Sequence, residues 1–247
     1  MRKAVPPFVI AVVSLIAWQI LHAMAGSNTI SAPLQTIAFL TDIMATTRFW
    51  LDVSETGQAF LWALLISMAL GTSLGVALGL SRGTGEVIEP ILVTFYALPK
   101  VTLYPLVLLV FGLGLSAKVA FGVMHGLVPI TLLTRGAITQ LKPVYWRTAQ
   151  VLRLNRRDAI RLVVLPAIVP ELIAGIRISV SLSLLGVLIG EMFASKRGLG
   201  FAAVNAMGRG DIRMILAIGL FLSVFAITAN AALLALEAGV RHRTAAR

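Results

Sequence analysis

The sequence predicts an all-α membrane protein with six transmembrane helices, forming one domain over residues 1–247. Three observations predict it. Of the 247 residues, 58% are hydrophobic and only 13% are charged, where a soluble domain carries about 25% charged residues. Several apolar intervals reach the roughly 20 residues that a helix needs to cross a hydrocarbon core. The basic residues gather between those intervals. The longest such segment, Arg147 to Pro166, carries Arg147, Arg153, Arg156, Arg157, Asp158 and Arg161 on an almost charge-free background.

The first span covers residues 5–25, preceded by Arg2 and Lys3. Ala23-Met24-Ala25 resembles a signal-peptide cleavage site, but the apolar run is long and further spans follow, so a retained helix is the preferred reading. Residues 27–55 are mixed in character and read as an outer loop holding a short amphipathic helix near Pro33 to Met44. The second span covers residues 57–80. Gly71, Gly75 and Gly79 stand four apart there, a spacing that puts them on one helix face and admits a close neighbour.

The third span, residues 88–112, contains Pro99 and Pro105. Proline removes a backbone donor and clashes with the preceding turn, so this span is expected to be broken. Lys100 beside the break has two readings: a functional cation on a solute path, or a side chain that snorkels to the interface. The fourth span, residues 116–134, holds His125, whose ring is expected to satisfy a backbone group rather than relay protons. The fifth, residues 171–193, carries a second small-residue face at Gly175, Ser179 and Ser183, with Arg177 expected to anchor at the interface and Glu191 near the outer end. Residues 194–211 read as a glycine-rich outer loop, and residues 212–236 as the sixth span. Pro99, Lys100, Ser179, Ser183 and Glu191 are the candidates for a translocation path.

Six spans put both termini on one side of the membrane. The segments on that side hold thirteen Lys and Arg, against six on the other, so the termini and the 136–168 loop are expected to be cytoplasmic. The net charge of +11 then follows from positive flanks, and nucleic acid is not an expected partner.

Catalytic and nucleotide-binding patterns are missing. The chain has no Gly-Lys dipeptide and hence no phosphate loop ending in Gly-Lys-Ser/Thr. It has no His-Glu-x-x-His and no Gly-x-Ser-x-Gly. The cysteine count is zero, and the three histidines are scattered, so no metal site is expected. A membrane hydrolase would need a paired nucleophile and base, such as Ser183 with His125, which nothing in the sequence brings together. The 136–168 loop presents Tyr145, Trp146, Val151 and Leu154 among arginines, an apolar centre with a charged rim that fits a protein partner. The competing reading is a basic loop on anionic lipid headgroups.

The loop resembles that of the permease subunits of bacterial ABC importers, which carry Glu-Ala-Ala, three residues, Gly, nine residues, then Ile-x-Leu-Pro. Arg147, Thr148 and Ala149 fall at Glu-Ala-Ala, Arg153 at the glycine, Val163 at the isoleucine, and Leu165-Pro166 at the end. Residues 97–106, 111–118, 165–178, 190–193 and 198–201 resemble the nitrate/sulfonate/taurine-type permeases in order and spacing. The resemblance implies a type I importer permease fold in the bacterial cytoplasmic (inner) membrane, with a coupling helix between spans four and five. It also implies partners: a second permease subunit, usually a copy, two cytoplasmic ATPases that carry ATP and magnesium, and an extracytoplasmic solute-binding protein. This chain itself would hold no cofactor, and its solute would be a small organic or inorganic anion such as a sulfonate or nitrate, although the family also includes carriers of some heterocyclic vitamin precursors. Arg147 and Arg153 depart from the pattern. Either the ATPase has compensating changes, or the subunit couples weakly and pairs with a different permease. A stand-alone channel or secondary carrier is the alternative class, although carriers show repeated halves and no repeat is evident.

Overall fold

The computed structural model describes residues 7–26 and 29–245, with the backbone only for residues 7, 8, 82, 194 and 240–245. Among the described residues every regular element is helical. Arg2, Lys3 and Arg247, which contribute to the charge asymmetry, lie outside them.

Helix α1 (Pro7–Ala25) is apolar around its whole circumference, and Val13, Ile16, Ile20 and Met24 are exposed. A helix with no polar face suits a hydrocarbon surrounding. Its far end is tied down where Trp18 Nε1 donates to the Ser31 carbonyl at 3.1 Å. Helix α2 (Pro33–Met44) begins with proline in its first turn, where the missing N–H costs nothing. Helix α3 (Thr47–Leu80) starts at a Thr46 side-chain cap on the Phe49 amide. The mixed segment expected as loop up to residue 55 is therefore helical from Thr47 onward. Its charged residues are held by tertiary partners described below, and Phe49 is buried with Leu199 and Ile218.

Helix α4 (Arg82–Ala97) ends at Leu98, which is extended ahead of Pro99 as pre-proline sterics require. A single 3-10 turn over Lys100–Leu103 leads into α5 (Tyr104–Phe111). The two arms of this span meet at 90°. Pro105 does not contribute to the break, because it sits in the first turn of α5. Helix α6 (Leu115–Thr139) follows a turn at Gly112 and Gly114, both at positive φ.

The 136–168 interval contains α7 (Pro143–Val151), α8 (Arg156–Ala159), a π-helical segment over Ile160–Val164, and α9 (Leu165–Ala167). The π turn precedes Pro166, whose missing N–H interrupts the ordinary ladder. Helix α10 (Val169–Ala194) runs back across the bundle. The expected outer loop at 194–211 instead contains α11 (Leu199–Gly208), and α12 (Ile212–Ala245) is longer than the expected span.

Among the described residues four helices are long and apolar enough to cross a membrane: α3, α6, α10 and α12. The bent α4–α5 pair is a candidate fifth. Helix α6 is the centre, packed between α3 and α10. Lipid tails give no hydrophobic drive between helices, so close backbone approach and van der Waals contact hold such a bundle. A Cβ on Gly71 would lie 2.9 Å from Ile130 Cβ, and one on Gly75 would lie 2.5 Å from Thr134 Cβ. One on Gly79 would lie 2.8 Å from Ile138 Cβ. From α6, Gly122 meets Ala63 and Val187, and Gly126 meets Ser183 and Ser179.

Candidate functional site

At one end of the bundle, α7 stands out from the body on a small apolar foot. Trp146 packs against the buried cluster of Ile138, Val164 and Ile168, joined by the half-buried Leu165. Ala149 is buried on the same side. The opposite face carries Val144, Tyr145, Val151 and Leu152, all exposed, with Arg147 and Thr148 between them. Val163 is half-buried and Pro166 exposed. Arg147 also lines a cavity of about 340 Å³ between α7 and the ends of α3 and α6.

The end of α7 explains how the chain turns without the glycine of the family pattern. Arg153 has φ of 48°, the one positive value at a non-glycine among the described residues. Its N–H donates to the Gln150 carbonyl at 2.9 Å, and the Leu154 N–H donates to Ala149 at 3.0 Å. These are the two bonds of a Schellman cap, whose left-handed residue is ordinarily glycine. Asn155 then caps α8, its Oδ1 accepting from the Asp158 amide at 2.8 Å. Arginine thus takes the glycine conformation, at a cost of roughly 1–2 kcal/mol.

Near the middle of the bundle, Pro99 begins the 3-10 turn, and Lys100 is only 7% exposed. Its ammonium donates to the Tyr96 carbonyl at 3.0 Å and lies 5.1 Å from the Tyr96 ring centroid. The carbonyl freed by the break is satisfied by this side chain, so Lys100 is held inside the protein rather than at an interface. His125 faces its own helix, with Nδ1 2.8 Å from the Phe121 carbonyl. Ser179 and Ser183 have no exposed surface. Their hydroxyls crowd Gly126 together with Ser67, and none of the three has a hydrogen-bond partner. Ser183 is therefore not paired with His125 as a nucleophile with its base.

At the other end lies a network that sequence reasoning missed. Glu191 is fully buried. It accepts from Thr56 Oγ1 at 2.8 and 3.0 Å, from the Gly200 amide at 3.0 Å, and from Lys118 at 3.5 Å. Thr56 Oγ1 accepts in turn from the Leu199 amide at 2.8 Å, and Asp52 accepts from the Gly198 amide at 2.9 Å. Lys118, 3% exposed, also reaches Glu55 at 3.4 Å and the Arg197 carbonyl at 3.1 Å. The start of α11 is thus capped by side chains of α3 and α10. A Cβ on Gly198 would collide with the Glu191 carboxylate. The usable signal was two lone opposite charges, Lys118 and Glu191, in otherwise apolar spans. A further ion pair joins Arg135 of α6 to Glu89 of α4.

A bundle of long apolar helices with a broken span and a short outlying helix has the character of a multi-pass membrane protein. The chain belongs to the family of binding-protein-dependent transport system inner membrane components, which matches residues 67–243. It is 26% identical over 224 residues to the nitrate import permease protein NrtB of Synechococcus elongatus, covering 85% of this chain and 80% of that one. It is 25% identical over 236 residues to the formylaminopyrimidine transport permease protein ThiX of Halalkalibacterium halodurans, covering 95% and 94%. The fold resembles that of the MetNI methionine ABC transporter in an inward-facing conformation, with a TM-score of 0.65 at 15% identity, over 78% of this chain and 97% of that one. The chain is therefore an inner-membrane permease component of an ABC importer that works with an ATPase and a binding protein. It is not an enzyme, and the ATPase is a separate subunit.

Proposed function

We propose that two copies of this chain form the alternating-access path of an importer for a small anion such as a sulfonate or nitrate. In this reading α1 is a sixth span and both termini are cytoplasmic. Two cytoplasmic ATPases carry ATP and magnesium, and an extracytoplasmic binding protein delivers the solute. The observation that carries the reading is α7, which is anchored by Trp146 and presents Val144, Tyr145, Val151 and Leu152 outward. An apolar patch ringed by Arg147 and the arginines beyond Arg153 suits a cleft on the ATPase, and the Schellman turn fixes the angle at which it is offered. Nitrate among the relatives' solutes supports an anion.

Affinity purification of the tagged chain from its native host tests this. The expected result is an ATPase that stays bound in detergent and whose turnover rises with the binding protein. A lone, stable oligomer that conducts ions supports a channel instead. Arg147→Glu is expected to change the stimulated turnover, and turnover equal to the parent's removes Arg147 from the contact.

A further inference from the structure

We infer that a groove formed by Tyr96 of α4, Arg177 and Ser181 of α10, and Asn230 of α12 is an oxyanion-binding site on the solute path, with Arg177 as its charged contact. This rests on the importer reading above. The groove is shallow and open, with a volume of about 410 Å³, and is walled by Ile178 and Leu182. Arg177 lies eight residues into the apolar segment Val169–Phe193, roughly 12 Å along the helix. It makes no hydrogen bond or ion pair with any described residue. A cation at that depth facing lipid alone is expensive, and ionisable groups there face water, a partner or a solute. Arg177, expected as an interface anchor, lines this open polar groove.

The lining chemistry selects the ligand. A guanidinium offers five N–H donors in a planar fork, and tyrosine, serine and asparagine add further donors. Among the described residues no carboxylate lines the groove. The carboxylates of Glu89 and Glu191 are already engaged by Arg135 and Lys118. Lys100 is not among the lining residues, and its ammonium, on the Tyr96 carbonyl, adds positive charge nearby. The site also adjoins the break at Leu98–Pro99, where a hinge would alter its shape. Ser179 and Ser183, on the other face of α10, are sealed against α6. A small planar or tetrahedral oxyanion with a short apolar body fits.

The chain has no cysteine, so Ser181→Cys, at an exposed position, sets one thiol in the groove. In the assembled importer in nanodiscs, its reaction rates with an anionic sulfonatoethyl and a cationic trimethylammonioethyl methanethiosulfonate are read on this chain by mass spectrometry. The anionic-to-cationic rate ratio is expected to fall by about tenfold or more when Arg177→Gln is added. Methanesulfonate is expected to slow labelling only when Arg177 is present. If Arg177→Gln fails to assemble, Asn230→Asp, which sets a carboxylate in the groove, is expected to give the same fall. An unchanged ratio, absence of methanesulfonate protection, or a thiol inert to both reagents overturns the proposal. So does protection that follows anionic phospholipid content instead of methanesulfonate, which would make the groove a lipid site. Binding-protein-stimulated ATP hydrolysis by the unsubstituted importer reports separately on the importer reading.

Discussion

Removing the Glu191 carboxylate tests how the far end of the bundle is held. Glu191→Ala strands Lys118, which is 3% exposed, with only Glu55, the Arg197 carbonyl and no buried counter-charge. It also deprives the Gly200 amide and the Thr56 hydroxyl of their acceptor. Breaking a buried ion pair by removing one partner costs about 3–5 kcal/mol. For a chain of this size each kcal/mol lowers the melting temperature by about 2–4 °C, so a fall of about 6–20 °C is expected. Glu191→Gln keeps the volume and one acceptor, and is expected to cost about 1–3 kcal/mol. The double variant Lys118→Met/Glu191→Met leaves no stranded charge and should melt above Glu191→Ala. The assay is thermal unfolding of the purified chain in one detergent, followed by intrinsic fluorescence. A fall of less than about 2 °C for Glu191→Ala would refute the reasoning, as would strict additivity of the two single variants in the cycle.

Gly75→Ala must move Thr134 or separate α3 from α6, and overpacking of this kind costs about 1–3 kcal/mol. The same change at Gly57, also inside α3 but with nothing within 4 Å, should instead raise the melting temperature slightly, because alanine is the better helix former by about 1 kcal/mol. Arg153→Gly relieves the left-handed strain and should raise the melting temperature, by an amount equivalent to about 1 kcal/mol. A fall on that substitution would show that the arginine side chain holds the turn.

The sequence makes some of this architecture legible because some features are local. Apolar length marks α3, α6, α10 and α12. Proline at 33 and the amphipathic run after it mark α2. The Leu98–Pro99 break is written in two residues, but its 90° angle is set by packing on α6 and is not. The four-residue spacing of Gly71, Gly75 and Gly79 defines a face, while the helix it meets is a tertiary fact. What escapes is long-range. The segment Gly198 to Gly208 reads as loop because it is rich in glycine. It folds as α11 because Asp52, Thr56 and Glu191, distant in the sequence, accept its first amides. Asp52 and Glu55 look like loop residues for the same reason: their partners, Gly198 and Lys118, belong to other elements. The groove at Arg177 joins three helices, so no single stretch announces it.

If α7 is the handle of a separate ATPase, cross-linking finds the contact. Val151 is 81% exposed at the tip of α7, and in this cysteine-free chain Val151→Cys carries the only thiol. With a short bifunctional maleimide in the native membrane, a cross-link to the ATPase subunit is expected, with a yield that changes when ATP is added. A thiol labelled from the extracytoplasmic side by an impermeant reagent, with no cross-link to an ATPase, would contradict it.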